Sequence, residues 1–407
     1  MKPINLTITT SCVIIQYFGY AIFSLASIPI ADSYFPGTTQ AAKLSYFFAT
    51  LSITSLAKPL GSFIFGYIGD AFGRKLSILL SSLLASCGCI IIYFIPFFSE
   101  IGIYATILVV IARFIFLAGV IGEVDGIRVY FYENLTKSHR NLASGAVILS
   151  TQIGAFLASI SLSYIFHSKE TVCISFLIIG VAGMAFGAMQ ANLPESEQYR
   201  HDKSVIGDHR ITYIQLLVGQ TNTIILSSLV IGASSAIYIF YIIILPPYLK
   251  LYLALDVTKI VPVLIFIYGV SALISGFLAD KIGAFNVLAY GIFLSLLNLL
   301  AVSYCIGAGY FASVQGLMMA GCAIAPAVSL TSFVIVKDNI NTLIRLRIFS
   351  ISHSLGGILI SSPLGFTSVY IANRFGAEYI SAELLIITII AAYSIVKISS
   401  NTKSQIK

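Results

Sequence analysis

Residues 66–75 read Gly-Tyr-Ile-Gly-Asp-Ala-Phe-Gly-Arg-Lys, and residues 276–283 read Gly-Phe-Leu-Ala-Asp-Lys-Ile-Gly. Both contain Gly-x-x-x-Asp-x-x-Gly, and Asp280 follows Asp70 by 210 residues. Apolar runs flank each copy, at 46–69 and 76–98 around the first and at 259–279 and 284–306 around the second. About 20 apolar residues suffice to cross a bilayer as a helix. The motif is therefore a short connection between two crossings, and the chain uses it twice.

Working outward, further apolar runs lie near 11–31, 102–132, 142–166 and 171–191, then near 221–247, 309–335, 346–371 and 377–398. A polar stretch from Asn192 to about Gly219 separates six runs from six more. Backbone amides in hydrocarbon need internal partners, so each run is read as a helix. Pro29, Pro59, Pro262, Pro326 and Pro363 do not overturn this, because neighbouring helices can satisfy the freed groups. The expected fold is an all-α integral membrane protein with twelve transmembrane helices in two pseudo-symmetric six-helix bundles. These bundles are residues 1–191 and 220–407, joined by a cytoplasmic linker, 192–219. Parallel duplication of this kind predicts a substrate site between the bundles near mid-bilayer.

Composition excludes the alternatives. Of 407 residues, 58% are apolar and 10% charged, against about 25% charged in soluble proteins. The net charge of +7 is explained by cytoplasmic Lys and Arg rather than nucleic acid. With both termini inside, fifteen cations fall on the cytoplasmic side, among them Lys2, Arg74, Lys75, Arg140, Arg210, Lys281, Arg345, Lys403 and Lys407. Five, Lys43, Lys169, Lys250, Lys259 and Arg374, fall outside. With no Trp, the interfacial belt is expected from residues such as Tyr93, Phe97, Phe98, Tyr241 and Tyr248. The six cysteines all sit in apolar runs and read as buried thiols; no metal cluster is apparent. The first run is longer than the apolar core of a cleaved signal.

Three cations lie inside the spans: Lys58, Arg113 and Arg128. Charge at bilayer depth costs roughly 2.5–3.5 kcal/mol on insertion scales, so such residues face partners or water. Lys58 lies about 18 Å along a helix from Asp70, and Arg113 is also near the middle. The pair would suit a substrate carboxylate; alternatively they lock helices through carbonyls or Glu123. Asp125 and Arg128, about 60° apart on a helix, can form an i,i+3 ion pair at a gate. Glu123 is the candidate proton-exchanging acid or, alternatively, an ionised partner of Arg113. Ala118, Gly122 and Gly126 form a stripe permitting close helix approach. In the loop, Gly66 and Gly73 permit a tight connection, Asp70 can receive helix N-terminal amides, and Arg74 and Lys75 face the cytoplasm. Glu133 and Arg140 read as a brace. His353 can titrate at a gate or donate to a neighbouring helix. Tyr17, Phe18, Tyr20, Tyr238 and Tyr241 can cage a quaternary ammonium or simply pack. No phosphate-binding Gly-Lys-Ser/Thr loop or catalytic triad spacing appears, so neither ATP use nor an enzyme is expected.

The loop resembles the signature of the major facilitator superfamily, and Pro194-Glu195-Ser196 resembles its second marker. A closer likeness is to the metabolite–proton symporters, particularly proline/glycine-betaine transporters. It is carried by Phe35-Pro36-Gly37, Lys58-Pro59-Leu60-Gly61, Ile103 to Arg140 with Gly122-Glu123-x-x-Gly126, Pro247-Tyr248-Leu249, and Arg345 to Pro363. The likeness implies a secondary transporter of a small zwitterionic osmolyte, driven by a proton gradient without a cofactor, in a bacterial inner membrane. Its partners would be the substrate, protons and lipid. It also implies that the Asp70 loop latches the two halves. A mono- or dicarboxylate is the second substrate reading; a non-transporting sensor or scaffold is the third. The relatives' first-span Glu and Asp are Gln16 and Gly19 here, and Ala284-Phe285 replaces basic residues of the second loop.

Overall fold

The computed structural model describes residues 3–166, 168–206, 212–255 and 257–405. Of the residues used for orientation, Lys2, Arg210 and Lys407 lie outside these. The described residues are all-α, without a strand. Twelve helices among them are long and apolar enough to cross a membrane. They run Asn5–Leu25, Ala42–Ala71, Arg74–Phe94, Ile103–Asn134, Lys137–Leu162 and Lys169–Asn192, then Thr221–Lys250, Val261–Ile282, Ala284–Gly307, Phe311–Asp338, Thr342–Phe375 and Ala377–Ile398. They are numbered here as spans one to twelve.

The first span begins earlier than its apolar run because its threonines satisfy themselves. Thr9 Oγ1 donates to the Asn5 carbonyl at 2.9 Å and Thr10 Oγ1 to the Leu6 carbonyl at 2.8 Å. It also ends earlier, at Leu25, and a separate helix Ser27–Tyr34 follows. Pro29 explains the break, since its ring would strike the Leu25 carbonyl in a continuous helix. Two later spans widen for the same reason. Span seven contains a π-helical turn, Phe240–Ile244, just before Pro246, and span eleven contains another, Gly357–Ser361, just before Pro363. At the second, the Ser362 hydroxyl bonds the Gly357 carbonyl at 2.8 Å.

Chain contacts divide into two compact units, Met1–Asn134 with Ser150–Val205, and Leu135–Leu149 with Ile206–Lys407. Span four is the core of the first unit, buried almost continuously from Phe116 to Glu133. Small residues let its neighbours reach its backbone. Gly122 lies against the Phe65 ring and Gly126 against Ile78. A Cβ on Gly119 would stand 2.6 Å from the Ser81 carbonyl oxygen, so only glycine fits that crossing. In the second unit, Gly276 lies against the backbone of Asn141 and Leu142, and this draws the start of the helix Arg140–Tyr164 into that unit.

Two members of the expected aromatic belt are corrected. Tyr241 and Tyr248 are buried, and the Tyr241 hydroxyl donates to Asn298 Oδ1 at 2.5 Å. Exposed rings are instead Phe94, Tyr104, Tyr164, Tyr304 and Phe375, near span ends.

Candidate functional site

Within the first unit, spans one, two and four bring Lys58 and Arg113 to the same aromatic ring. Lys58 Nζ lies 5.8 Å from the centre of the Tyr20 ring, and the Arg113 guanidinium carbon 5.9 Å from it. The guanidinium carbon also lies over the Phe23 ring, 3.8 Å from its centre. Tyr20 and Phe23 are three residues apart on the first span, which puts both rings on one face. Arg113 is 2% exposed, and its Nε and Nη1 have no hydrogen-bond partner. The expectation that Glu123 locks Arg113 does not hold. Ten residues of helix separate them by about 15 Å, and the recorded partner of Glu123 is Gln190.

Glu123 anchors a different group. It is fully buried, and its Oε1 accepts from Gln190 Nε2 at 3.1 Å. Gln190 Oε1 accepts from the Ser82 hydroxyl at 2.9 Å. Gln16 Nε2 donates to Ser86 Oγ at 3.1 Å and to the Ser82 carbonyl at 3.3 Å. Glu123 and Gln16 thus belong to one buried polar chain linking spans one, three, four and six. Asp125 and Arg128, on another face of span four, form their ion pair at 3.2 Å.

The first loop is a buried lock in which one arginine joins two carboxylates. Arg74, expected to face the cytoplasm, is fully buried. Its Nη1 binds Asp70 at 2.6 Å, while Nε and Nη2 bind the two Glu133 oxygens at 3.1 and 3.0 Å. Its guanidinium lies 4.7 Å from the Tyr199 ring centre. The reason is chemical: a planar fork between two carboxylates and an aromatic face satisfies more donors than an exposed position. Glu195 Oε1 accepts the Arg74 amide at 2.9 Å, capping the third span. Gly73 has φ +118°, and Glu195 occupies the space a Cβ would need. Ser196 donates to Glu133 at 2.7 Å, and Lys203 reaches the Ala71 carbonyl at 3.0 Å. Gly66, by contrast, is simply a buried helical residue.

The second loop works differently. Asp280 accepts the backbone amides of Asn141 and Leu142 at 3.0 and 2.9 Å, and Asn141 Nδ2 at 3.0 Å. Without an arginine at position 284, its carboxylate serves as a helix cap. Arg140 pairs with Asp338 at 3.4 Å. His353 packs against Phe333 and Phe349, with ring centres 5.8 and 6.2 Å away. Tyr238 packs edge-on against Tyr268 at 4.8 Å, so it and Tyr241 are committed to packing in the second unit.

Sequence reasoning missed Phe23, Gln190, Ser82, Ser86, Tyr199 and Lys203. Phe23 was findable from its spacing to Tyr20; the others look like ordinary polar residues and acquire meaning only through tertiary contact.

Residues 9–360 match the family described as Major Facilitator Superfamily. A Staphylococcus aureus (strain COL) protein named "Putative proline/betaine transporter" is 24% identical over 288 residues, covering 68% of this chain and 62% of that protein. The Escherichia coli (strain K12) "Inner membrane metabolite transport protein YhjE" is 32% identical over 146 residues, covering 36% of this chain and 33% of that one. The chain thus matches less than two thirds of the length of these relatives. The proton:xylose symporter XylE bound to 6-bromo-6-deoxy-D-glucose superposes with a TM-score of 0.74 at 12% identity, covering 96% of this chain and 94% of the other. An outward-facing bacterial homologue of the iron transporter ferroportin gives 0.74 at 15% identity, covering 98% of this chain and 100% of the other. These two likenesses concern the fold alone. Twelve apolar spans among the described residues, a loop repeated in both halves and a family match over most of the sequence agree: this is a multi-pass membrane protein, and it belongs to the major facilitator superfamily.

Proposed function

We propose that the protein is a secondary transporter moving a small zwitterionic osmolyte of the proline or betaine kind, coupled to protons, by alternating access. It would act in a bacterial inner membrane with both termini cytoplasmic. The observation that carries this reading is Arg113. A guanidinium stays charged at any working pH, and this one is buried at mid-span with two nitrogens lacking a hydrogen-bond partner. Burying such a charge costs several kcal/mol unless an anion compensates it. A substrate carboxylate fits, held edge-on by the guanidinium while Phe23 and Tyr20 fix its plane. Lys58 adds a second positive charge beside Tyr20. The names of the 24%-identical relatives point to the same substrate class.

Lys58 also favours a second reading, a mono- or dicarboxylate. Two cations beside one ring match two carboxylates better than one carboxylate and an ammonium.

The test uses the purified full-length protein in liposomes, with labelled proline, glycine betaine and simple carboxylates, with and without an inward proton gradient. Accumulation of proline or betaine that depends on the gradient is expected. Uptake of carboxylates alone moves the assignment to the second reading. If no compound enters under either condition, the substrate class is wrong.

A further inference from the structure

Just before span seven stands a short helix to which the transport reading gives no role. Tyr213–Gly219 reads Tyr-Ile-Gln-Leu-Leu-Val-Gly, and no charged residue or histidine occurs from Thr212 to Leu249. It starts as a helix in its own right, because Thr212 and Gln215 cap each other. The Gln215 amide donates to Thr212 Oγ1 at 3.4 Å, and the Thr212 amide to Gln215 Oε1 at 3.1 Å. It ends at Gly219. Gln220, with φ −120° and ψ 18°, leaves helical geometry before span seven begins at Thr221.

The two faces of this helix differ. Leu216 is buried, and the Tyr213 ring lies over Arg347 at the start of span eleven, 5.7 Å from ring centre to guanidinium carbon. Tyr213 and Leu216 are about 60° apart at 100° per residue, so one face rests on the second unit. Away from it, Ile214 and Val218 are 76% and 75% exposed, about 40° apart, with Leu217 beside them. The stripe continues past the break. Leu217, Val218, Thr221, Ile224 and Ile225 line one shallow apolar groove of about 290 Å³, and Ile225, inside span seven, is 52% exposed. The patch therefore runs without interruption into a helix that crosses the membrane.

A charged partner would find nothing to pair with on such a surface. A second copy of the chain would find too little area. A stable interface buries about 800 Å² on each side, and three side chains of a two-turn helix supply a small part of that. A lipid leaflet needs neither charge nor shape, only an apolar stripe with a polar edge at the level where a span begins. Gln215 supplies that edge: it is exposed and about 60° round the helix from Val218.

We propose that Tyr213–Gly219 is a membrane-surface foot, lying at the boundary of headgroups and acyl chains in the leaflet that span seven enters first. Ile214, Leu217 and Val218 sit among the acyl chains, and Gln215 lies at the headgroups. Leu216 and the Tyr213–Arg347 contact hold the foot to the second unit, so the starts of spans seven and eleven are fastened to that leaflet. The assignment depends on neither the substrate nor proton coupling.

The chain has no tryptophan, so a single introduced one reports its own surroundings. Ile214→Trp, Val218→Trp and Gln215→Trp are made singly in the full-length protein, in phosphatidylcholine–phosphatidylglycerol vesicles. Phe293→Trp, at a 59% exposed position inside span nine, is the reference for a residue facing lipid. Fluorescence is quenched by lipids brominated near the headgroup, by lipids brominated near the chain end, and by iodide on both sides of the vesicle. Ile214→Trp and Val218→Trp should be quenched most by the shallow bromine and little by iodide, while Phe293→Trp favours the deep bromine. Gln215→Trp leaves the stripe intact and should be the most open to iodide. Iodide quenching of Ile214→Trp and Val218→Trp without bromine quenching puts the stripe in water and overturns the proposal. Protection from every quencher, with Phe293→Trp still reached by bromine, puts protein over the stripe and overturns it too. Because Ile214 and Val218 are three-quarters open, the larger ring displaces no packed neighbour, and equal quenching at 214, 215 and 218 would show that the helix has no lipid-facing side.

Discussion

The guanidinium carbon of Arg113 lies 3.8 Å from the centre of the Phe23 ring and 5.9 Å from that of Tyr20. A flat cation can lie on an aromatic face while its edge stays open to a carboxylate. An ammonium cannot do both. Arg113→Lys is therefore expected to insert and fold, yet to lose at least about tenfold in apparent affinity, or about 1.4 kcal/mol. The measurement is the concentration dependence of labelled substrate uptake in liposomes. Wild-type affinity in Arg113→Lys would show that charge alone, without planarity, makes the site.

Arg74 bridges Asp70 and Glu133, and the side chains of all three are fully enclosed. Removing one partner from a buried ion pair typically costs about 3–5 kcal/mol, because the remaining charge stays buried. Arg74→Gln leaves two carboxylates uncompensated. Arg74→Lys keeps the charge but cannot fork between them. Thermal unfolding in detergent should rank wild type above Arg74→Lys, and Arg74→Lys above Arg74→Gln. Equal melting of all three would mean that the cluster is held by something other than this cation.

Gly73 and Glu195 should behave as a coupled pair. Alanine at 73 meets both an unfavourable φ of +118° and the Glu195 carboxylate. Removing the Glu195 side chain loses the cap on the third span, a change of about 0.5–2 kcal/mol. The double variant Gly73→Ala/Glu195→Ala should be more stable than the sum of the single losses allows, because the clash disappears with the carboxylate. Melting temperatures of the three variants close the cycle. Strict additivity would show that φ strain alone accounts for Gly73.

Most of the architecture is legible in the sequence, because bilayer physics leaves few alternatives to apolar helices of fixed length. The Asp125–Arg128 pair follows from helical spacing in the same way. Legibility ends where a partner comes from a distant span. Nothing local to Arg74 reveals that Glu133 and Tyr199 enclose it, so a basic residue in a loop reads as exposed. Nothing local to Glu123 distinguishes Gln190, 67 residues away, from Arg113 on its own helix. The π-helical turns are intermediate. Pro246 and Pro363 announce a disturbance, but whether the helix breaks, kinks or widens depends on its neighbours.

Asp280 gives a final test of how the second loop differs from the first. Its carboxylate receives three N–H groups, from the backbone of Asn141 and Leu142 and the Asn141 side chain. An asparagine there offers one oxygen, and its amide would face the N–H groups that the second oxygen now accepts. Asp280→Asn should therefore cost nearly as much as Asp280→Ala, about 2 kcal/mol for charge-assisted bonds at a helix start. Hydrogen exchange should show it locally, with the Asn141 and Leu142 amides losing protection in both variants while spans two and three are unaffected. Asp280→Asn melting like wild type, with those amides still protected, would mean that shape alone holds the helix start and that the negative charge contributes nothing.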